Sequence, residues 1–264
     1  MDWGLANRWH RLFGSDGRSV MLAVDHGYFL GPISKLEQPA KTLEPLLPYA
    51  DAIALTRGVL RTSVPPAVGK GIILRVSGGA SVLQEDLSDE TLATSMEEAV
   101  RLNVSAVAMS LFIGAPHEHQ SIANLAKLVD EAEARGIPVL GITAVGKELD
   151  KRDARYLALA CRIAAEFGAR LVKTYYCEGF EKVVDSCPVP LVVAGGPKLN
   201  TELDVLNLVE GAIGAGAAGV DMGRNIWQND APVAMIRAVR GIVHEGRTAK
   251  EAHQLYQEIR AGKV

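Results

Sequence analysis

Residues 170–196 read RLVKTYYCEGFEKVVDSCPVPLVVAGG. Two short runs stand out in this stretch: Arg170 to Thr174, with Leu171-Val172 as its apolar core, and Pro190 to Ala194, apolar throughout. Each is followed by residues foreign to a core: Lys173-Thr174-Tyr175-Tyr176 closes the first, and Gly195-Gly196 follows the second. A strand covered on one face alternates apolar and polar residues, whereas an unbroken apolar run marks a strand buried on both faces of a parallel sheet.

The same pattern recurs outward in both directions. Further runs lie at Val20 to Val24, Ala52 to Leu55, Gly71 to Val76, Ser105 to Ser110, Pro138 to Thr143 and Ala218 to Met222. Between runs, LATSMEEAVRLN (92–103), SIANLAKLVDEAEARG (121–136) and RDARYLALACRIAAEFG (152–168) repeat apolar residues at helical spacing. Gly136 and Gly168 stand where helices end. Helices are also expected around 201–214, 231–243 and 248–260. Strands alternating with helices predict an α/β fold with a parallel sheet.

Eight such units in 264 residues match a closed TIM (β/α)8 barrel, which needs about 250. An open dinucleotide-binding sheet would show GxGxxG in its first strand-to-helix turn, and that turn reads DHGYFLGP here. The sequence therefore predicts one barrel over 1–264. Residues 1–18 are expected as an N-terminal extension and 77–90 as a weakly structured loop.

With 48% hydrophobic and 22% charged residues and a net charge of -3, the chain has neither a basic stripe for nucleic acid nor a run long enough to span a membrane. Its start lacks the apolar segment of a signal peptide. Cys161, Cys177 and Cys187 show no CxxC spacing, and the expected compartment is the reducing cytoplasm.

Barrel active sites lie at the C-terminal ends of the strands. Gly195 and Gly196 follow the seventh run, and Gly223 and Arg224 follow the eighth. Glycines allow backbone N–H groups to approach an anion, and arginine can clamp one, so these four residues form a candidate phosphate cup. The alternative is that the glycines only make tight turns. Lys198 could assist the cup.

Lys173, beside Thr-Tyr-Tyr, is a candidate Schiff-base amine whose pKa would be lowered by dry walls, or else a lysine that snorkels to solvent. Asp25 and His26 end the first run as candidate acid/base groups, and on a strand at most one would face the pocket. Asp221 reads as a satisfied structural carboxylate. Cys177, Glu178 and Lys147 are weaker candidates, and the His117-Glu118-His119 cluster does not make a metal site by itself.

Together AVDHGYFLGP (23–32), ALTRGVLR (54–61), LVKTYYCEGFEKVVDSCPVPLVVAGG (171–196) and GVDMGRNIWQ (219–228) resemble the DeoC/FbaB-type class I aldolases. The resemblance spans essentially the whole chain, including EHQSI (118–122) and PVAMIRAV (232–239). It implies that Lys173 is the Schiff-base lysine, Asp25 a substrate-contacting aspartate, and Gly195, Gly196, Gly223 and Arg224 the phosphate cup.

Fructose-bisphosphate aldolases of this family carry a Trp-x-Tyr-type motif after the fifth strand. Here ITAVGKELD (142–150) has no aromatic residue, and CEGF (177–180) is a residue shorter than the usual thiolase pattern. The resemblance is strongest to the thiolase branch, which processes a phosphorylated autoinducer-2 derivative. It implies a small keto-phosphate substrate, coenzyme A as co-substrate, no permanently bound cofactor or metal, and a ring-shaped homo-oligomer, possibly a decamer. The alternatives are a class I aldolase or synthase acting on a sugar phosphate, and a lysine-independent phosphosugar isomerase.

Overall fold

The computed structural model describes residues 2–144 and 152–263. Its strands are β1 (Ser19–Ala23), β2 (Ala52–Thr56), β3 (Gly71–Arg75), β4 (Ser77–Gly78), β5 (Thr91–Leu92), β6 (Ala106–Leu111), β7 (Val139–Thr143), β8 (Leu171–Tyr175), β9 (Leu191–Ala194) and β10 (Gly219–Met222). Eight of them close into a parallel barrel in the order β1-β10-β9-β8-β7-β6-β3-β2. The eight apolar runs match these strands to within a residue at each end.

The barrel strands are buried along almost their whole length because two cores sandwich them. Met21, Ala52, Ala54, Ile73, Ala106, Ala108, Leu140, Leu171 and Val192 fill the interior. Alternate residues such as Val20, Leu22, Ile53, Val172 and Val220 face the outer helices. The long helices are Glu118–Glu133, Ala154–Glu166, Glu202–Gly214, Pro232–Glu245 and Ala249–Arg260. Thr201 and Thr248 start the helices after them with reciprocal capping boxes, satisfying backbone donors that would otherwise be orphaned.

Three local expectations are corrected. The extension expected over 1–18 is not loose in its described residues, 2–18: Trp3–Trp9 is helical, with Asp2 capping Leu5 N–H at 2.9 Å. Leu12 is fully buried and, with Trp9 and Phe13, packs onto the interior core from below. Gly71 is required there, since a Cβ would lie 2.2 Å from the Arg11 carbonyl oxygen. The segment thus plugs the N-terminal end of the barrel.

The helix expected over 92–103 shortens to Met96–Arg101, because Thr91 and Leu92 pair antiparallel with Ser77 and Gly78. That pairing also pins both ends of the loop expected to be weakly structured. Its anchor is not apolar, so hydrophobic periodicity could not reveal it.

Candidate active site

Alternation along β8 sends Leu171 into the interior core and Val172 into the outer one, so Lys173 points inward above Leu171. On β10, Val220 and Met222 face outward and Asp221 faces in. The two side chains meet at the C-terminal mouth, with Lys173 Nζ 2.9 Å from Asp221 Oδ2. Apart from that contact, neither oxygen of the fully buried Asp221 carboxylate has a hydrogen-bond partner.

Burial disfavours the Lys173 ammonium, but Asp221 and then Asp25 outweigh it and hold the lysine pKa above its ordinary value. The expectation of a lowered lysine pKa is therefore corrected: Tyr175 supplies an aromatic wall, yet two carboxylates dominate. Burial raises the Asp221 pKa despite the attraction of Lys173, and Asp25 adds to the rise. Reading Asp221 as a satisfied structural carboxylate is also corrected, because nothing but the lysine satisfies it.

Asp25 and His26 both line this pocket. Strand alternation does not separate them, because β1 ends at Ala23 and His26 already has helical backbone angles at the start of the Gly27–Leu30 turn. Asp25 Oδ2 lies 3.3 Å from the Arg75 guanidinium. Burial opposes its charge, but Arg75, Lys173 and His26 together hold its pKa below the usual carboxylate value. His26 is pulled down to about 4, by burial first and then by the Lys173, Arg224 and Arg75 cations, against the pull of Asp25. It is a neutral imidazole at neutral pH, and its buried Nδ1 has no hydrogen-bond partner.

Arg75 went unnoticed in the sequence because it lies inside an otherwise apolar run, Gly71 to Val76. Its guanidinium is buried and donates to Glu90 at 3.0 Å, to the Tyr28 hydroxyl at 2.5 Å and to Ser110 Oγ. It also stacks over the Tyr28 ring at 3.9 Å. Glu90 accepts from Tyr28 at 2.7 Å and from Ser77 at 2.6 Å. This network forms the wall opposite β9 and β10. A lone Arg in a strand was the only signal that could have found it.

The four predicted cup residues do come together. Ala194 pairs in register with both Tyr175 and Asp221, so Gly195 begins one residue beyond the level of Asp221. Gly196 takes φ +67°, a conformation that favours glycine. At Gly223 a Cβ would lie 2.4 Å from the Ala23 carbonyl oxygen and 2.6 Å from His26 Cε1. Asn225 donates to the Gly195 carbonyl at 2.7 Å and accepts from Leu199 N–H at 2.8 Å, which staples the glycine loop.

Arg224 is half-buried with an unpartnered Nε, and burial lowers its pKa. Arg152 joins the cup unforeseen. Its guanidinium lies over the Tyr175 ring at 3.7 Å, close to Gly196, and its Nε is likewise unpartnered. Two guanidinium groups, each with an unpartnered Nε, beside these pocket-lining glycines are suited in charge to a dianion.

Other candidates lie elsewhere. The Lys198 ammonium donates to the Gln228 carbonyl at 3.0 Å, on the surface. Cys177 and Glu178 line a surface hollow with Lys182, a hollow that Arg152 also borders. His117 Nδ1 sits 2.8 Å from Asp86. Lys147 lies outside the described residues.

The DeoC/LacD family aldolase model matches residues 19–229. The chain is 54% identical to a 3-hydroxy-5-phosphonooxypentane-2,4-dione thiolase of Enterobacter sp. (strain 638), covering 100% of this chain and 89% of that protein. It is 53% identical, over the same shares, to the protein of that name from Klebsiella pneumoniae. Among solved structures it resembles an archaeal fructose-1,6-bisphosphate aldolase with its catalytic lysine bound to the carbinolamine intermediate. That match has a TM-score of 0.82 and 29% identity, and covers 90% of this chain and 99% of that one.

Proposed function

The chain belongs to the DeoC/LacD aldolase family, and from that premise we propose that it is a Schiff-base-forming thiolase. It cleaves 3-hydroxy-5-phosphonooxypentane-2,4-dione and transfers the acetyl fragment to coenzyme A, leaving dihydroxyacetone phosphate. The observation that carries this reading is the buried Lys173–Asp221 pair beside a cup with open arginine donors.

The chemistry follows from the order of atoms in the substrate. With the phosphate in the cup formed by Gly195, Gly196, Gly223, Arg224 and Arg152, the ketone next to the phosphate-bearing carbon is the one within reach of Lys173. An iminium there is an electron sink for the neighbouring hydroxylated carbon. The thiol of coenzyme A attacks the distal acetyl carbonyl, and the bond between that carbonyl and the hydroxylated carbon breaks. Its electron pair flows into the iminium to give an enamine. Protonation of the enamine and hydrolysis of the imine release dihydroxyacetone phosphate and regenerate Lys173. Asp25 and neutral His26, at the same mouth, are the groups placed to hold the hydroxyl and move protons.

Identity of 54% and 53% to proteins named for this reaction supports the thiolase. The 29%-identical structural relative supports, as the alternative, aldol cleavage of fructose 1,6-bisphosphate. Product analysis with and without coenzyme A separates them. The thiolase consumes the phosphorylated dione only with coenzyme A and yields acetyl-coenzyme A. Release of glyceraldehyde 3-phosphate from fructose 1,6-bisphosphate, independent of coenzyme A, would select the aldolase instead. We place the enzyme in the cytoplasm as a homo-oligomer. Among the described residues, no helix is long and apolar enough to cross a membrane.

A further inference from the structure

We propose that Asp221 is a catalytic residue: it takes the proton that frees the Lys173 amine and returns it to the departing carbinolamine hydroxyl. The inference rests on the Schiff-base reading above.

The geometry leaves few other routes for that proton. Lys173 Nζ is 2.9 Å from Asp221 Oδ2, and Lys173 is 9% exposed. Asp221 is 1% exposed and has no other hydrogen-bond partner for either oxygen. A structural carboxylate is held by several donors, as the part-buried Asp51 is at the other end of the barrel. Asp25, the other nearby acid, is engaged by the Arg75 guanidinium and held in its ionised form. Burial pushes Asp221 the opposite way, which suits it to accept a proton and then give it up.

The steps balance. Lys173 ammonium and Asp221 carboxylate become amine and carboxylic acid. The amine adds to the keto carbon, and a proton passes from nitrogen to the new alkoxide to give a neutral carbinolamine. Asp221 then protonates the hydroxyl, the C–O bond breaks, and water leaves an iminium that keeps one N–H. Asp221 ends as a carboxylate beside the iminium it stabilises.

The test is the rate of borohydride trapping with dihydroxyacetone phosphate, read as adduct mass on Lys173, since borohydride reduces the iminium and not the carbinolamine. Asp221→Asn should trap about 100-fold more slowly than the wild type, in line with loss of a general acid/base. In Asp221→Ala, added formate should restore about tenfold of the lost rate, whereas a lost structural contact would not respond to it. Trapping by Asp221→Asn within about threefold of the wild-type rate would overturn the proposal. So would an Asp221→Ala protein that still binds inorganic phosphate but is not rescued by formate. Absence of any adduct in the wild type would instead sink the Schiff-base reading itself.

Discussion

At the N-terminal end of the barrel, Asp51 accepts from Val20 N–H at 2.7 Å, from Arg240 at 2.8 Å and from His244 at 2.8 Å. His244 in turn reaches Asp16 at 2.8 Å, so both its ring nitrogens are engaged. At the C-terminal end, Asp221 touches only Lys173, His26 Nδ1 has no hydrogen bond, and Arg224 and Arg152 each keep an open Nε. Of the six buried side-chain atoms without a hydrogen bond among the described residues, five lie at this mouth, Asp221 Oδ2 having only its ion pair with Lys173. Unpaired buried polar groups cost stability and are kept where a ligand will use them. One end of this barrel spends its charges on holding the fold, and the other holds them open for chemistry.

The largest effect expected from breaking this contrast is at Lys173. Lys173→Ala should lower kcat by about 10⁴-fold or more, while the Kd for inorganic phosphate measured by calorimetry stays near wild type. The next is at Arg75, whose guanidinium is paired with Glu90 and Asp25 in the wall of the active end. Arg75→Met leaves Asp25 and Glu90 buried without their cation, and should lower unfolding free energy by about 3–5 kcal/mol in a urea titration. At the plug, Leu12→Ala should cost about 2–5 kcal/mol by the same titration, with kcat per folded molecule unchanged. Arg224→Ala should raise KM for the keto-phosphate about tenfold with a smaller change in kcat, because it removes a charge-assisted contact common to substrate and transition state.

The smallest effect sharpens the contrast through pH. Hydrogen bonds to Asp51 and Asp16, opposed by partial burial, raise the His244 pKa above its ordinary value. Its contribution to stability is therefore full below about pH 6.5 and lost as pH rises through the raised value. His26, depressed to about 4, has the opposite sign: the unfolded chain binds its proton first, so stability falls as pH drops from about 6.5 towards 4. His244→Gln should flatten the alkaline limb of a Tm-against-pH curve and His26→Gln the acidic one. Swapped limbs would refute the electrostatic assignment of the two ends.

The barrel was legible because each strand is a closed apolar run and each long helix a periodic one; both signals are local. Lys173, Gly195, Gly196, Gly223 and Arg224 were legible because the fold tells where strands end. What the sequence hid depends on contacts distant along the chain. Arg75 and Glu90 are separated by a loop, Arg152 reaches the cup across Tyr175, and the plug at Leu12 packs beneath strands that follow it. Asp221 was misread because the spacing within DMGRN places it in a strand but cannot show whether anything satisfies it.

Schiff-base chemistry at the open end of the barrel requires Lys173 to be the nucleophile. Peptide mapping of wild-type protein reduced with borohydride in the presence of dihydroxyacetone phosphate tests this most directly. The expected result is a covalent adduct confined to the peptide carrying Lys173 and absent from Lys173→Ala. No adduct, or one that persists on another lysine in that variant, would contradict it.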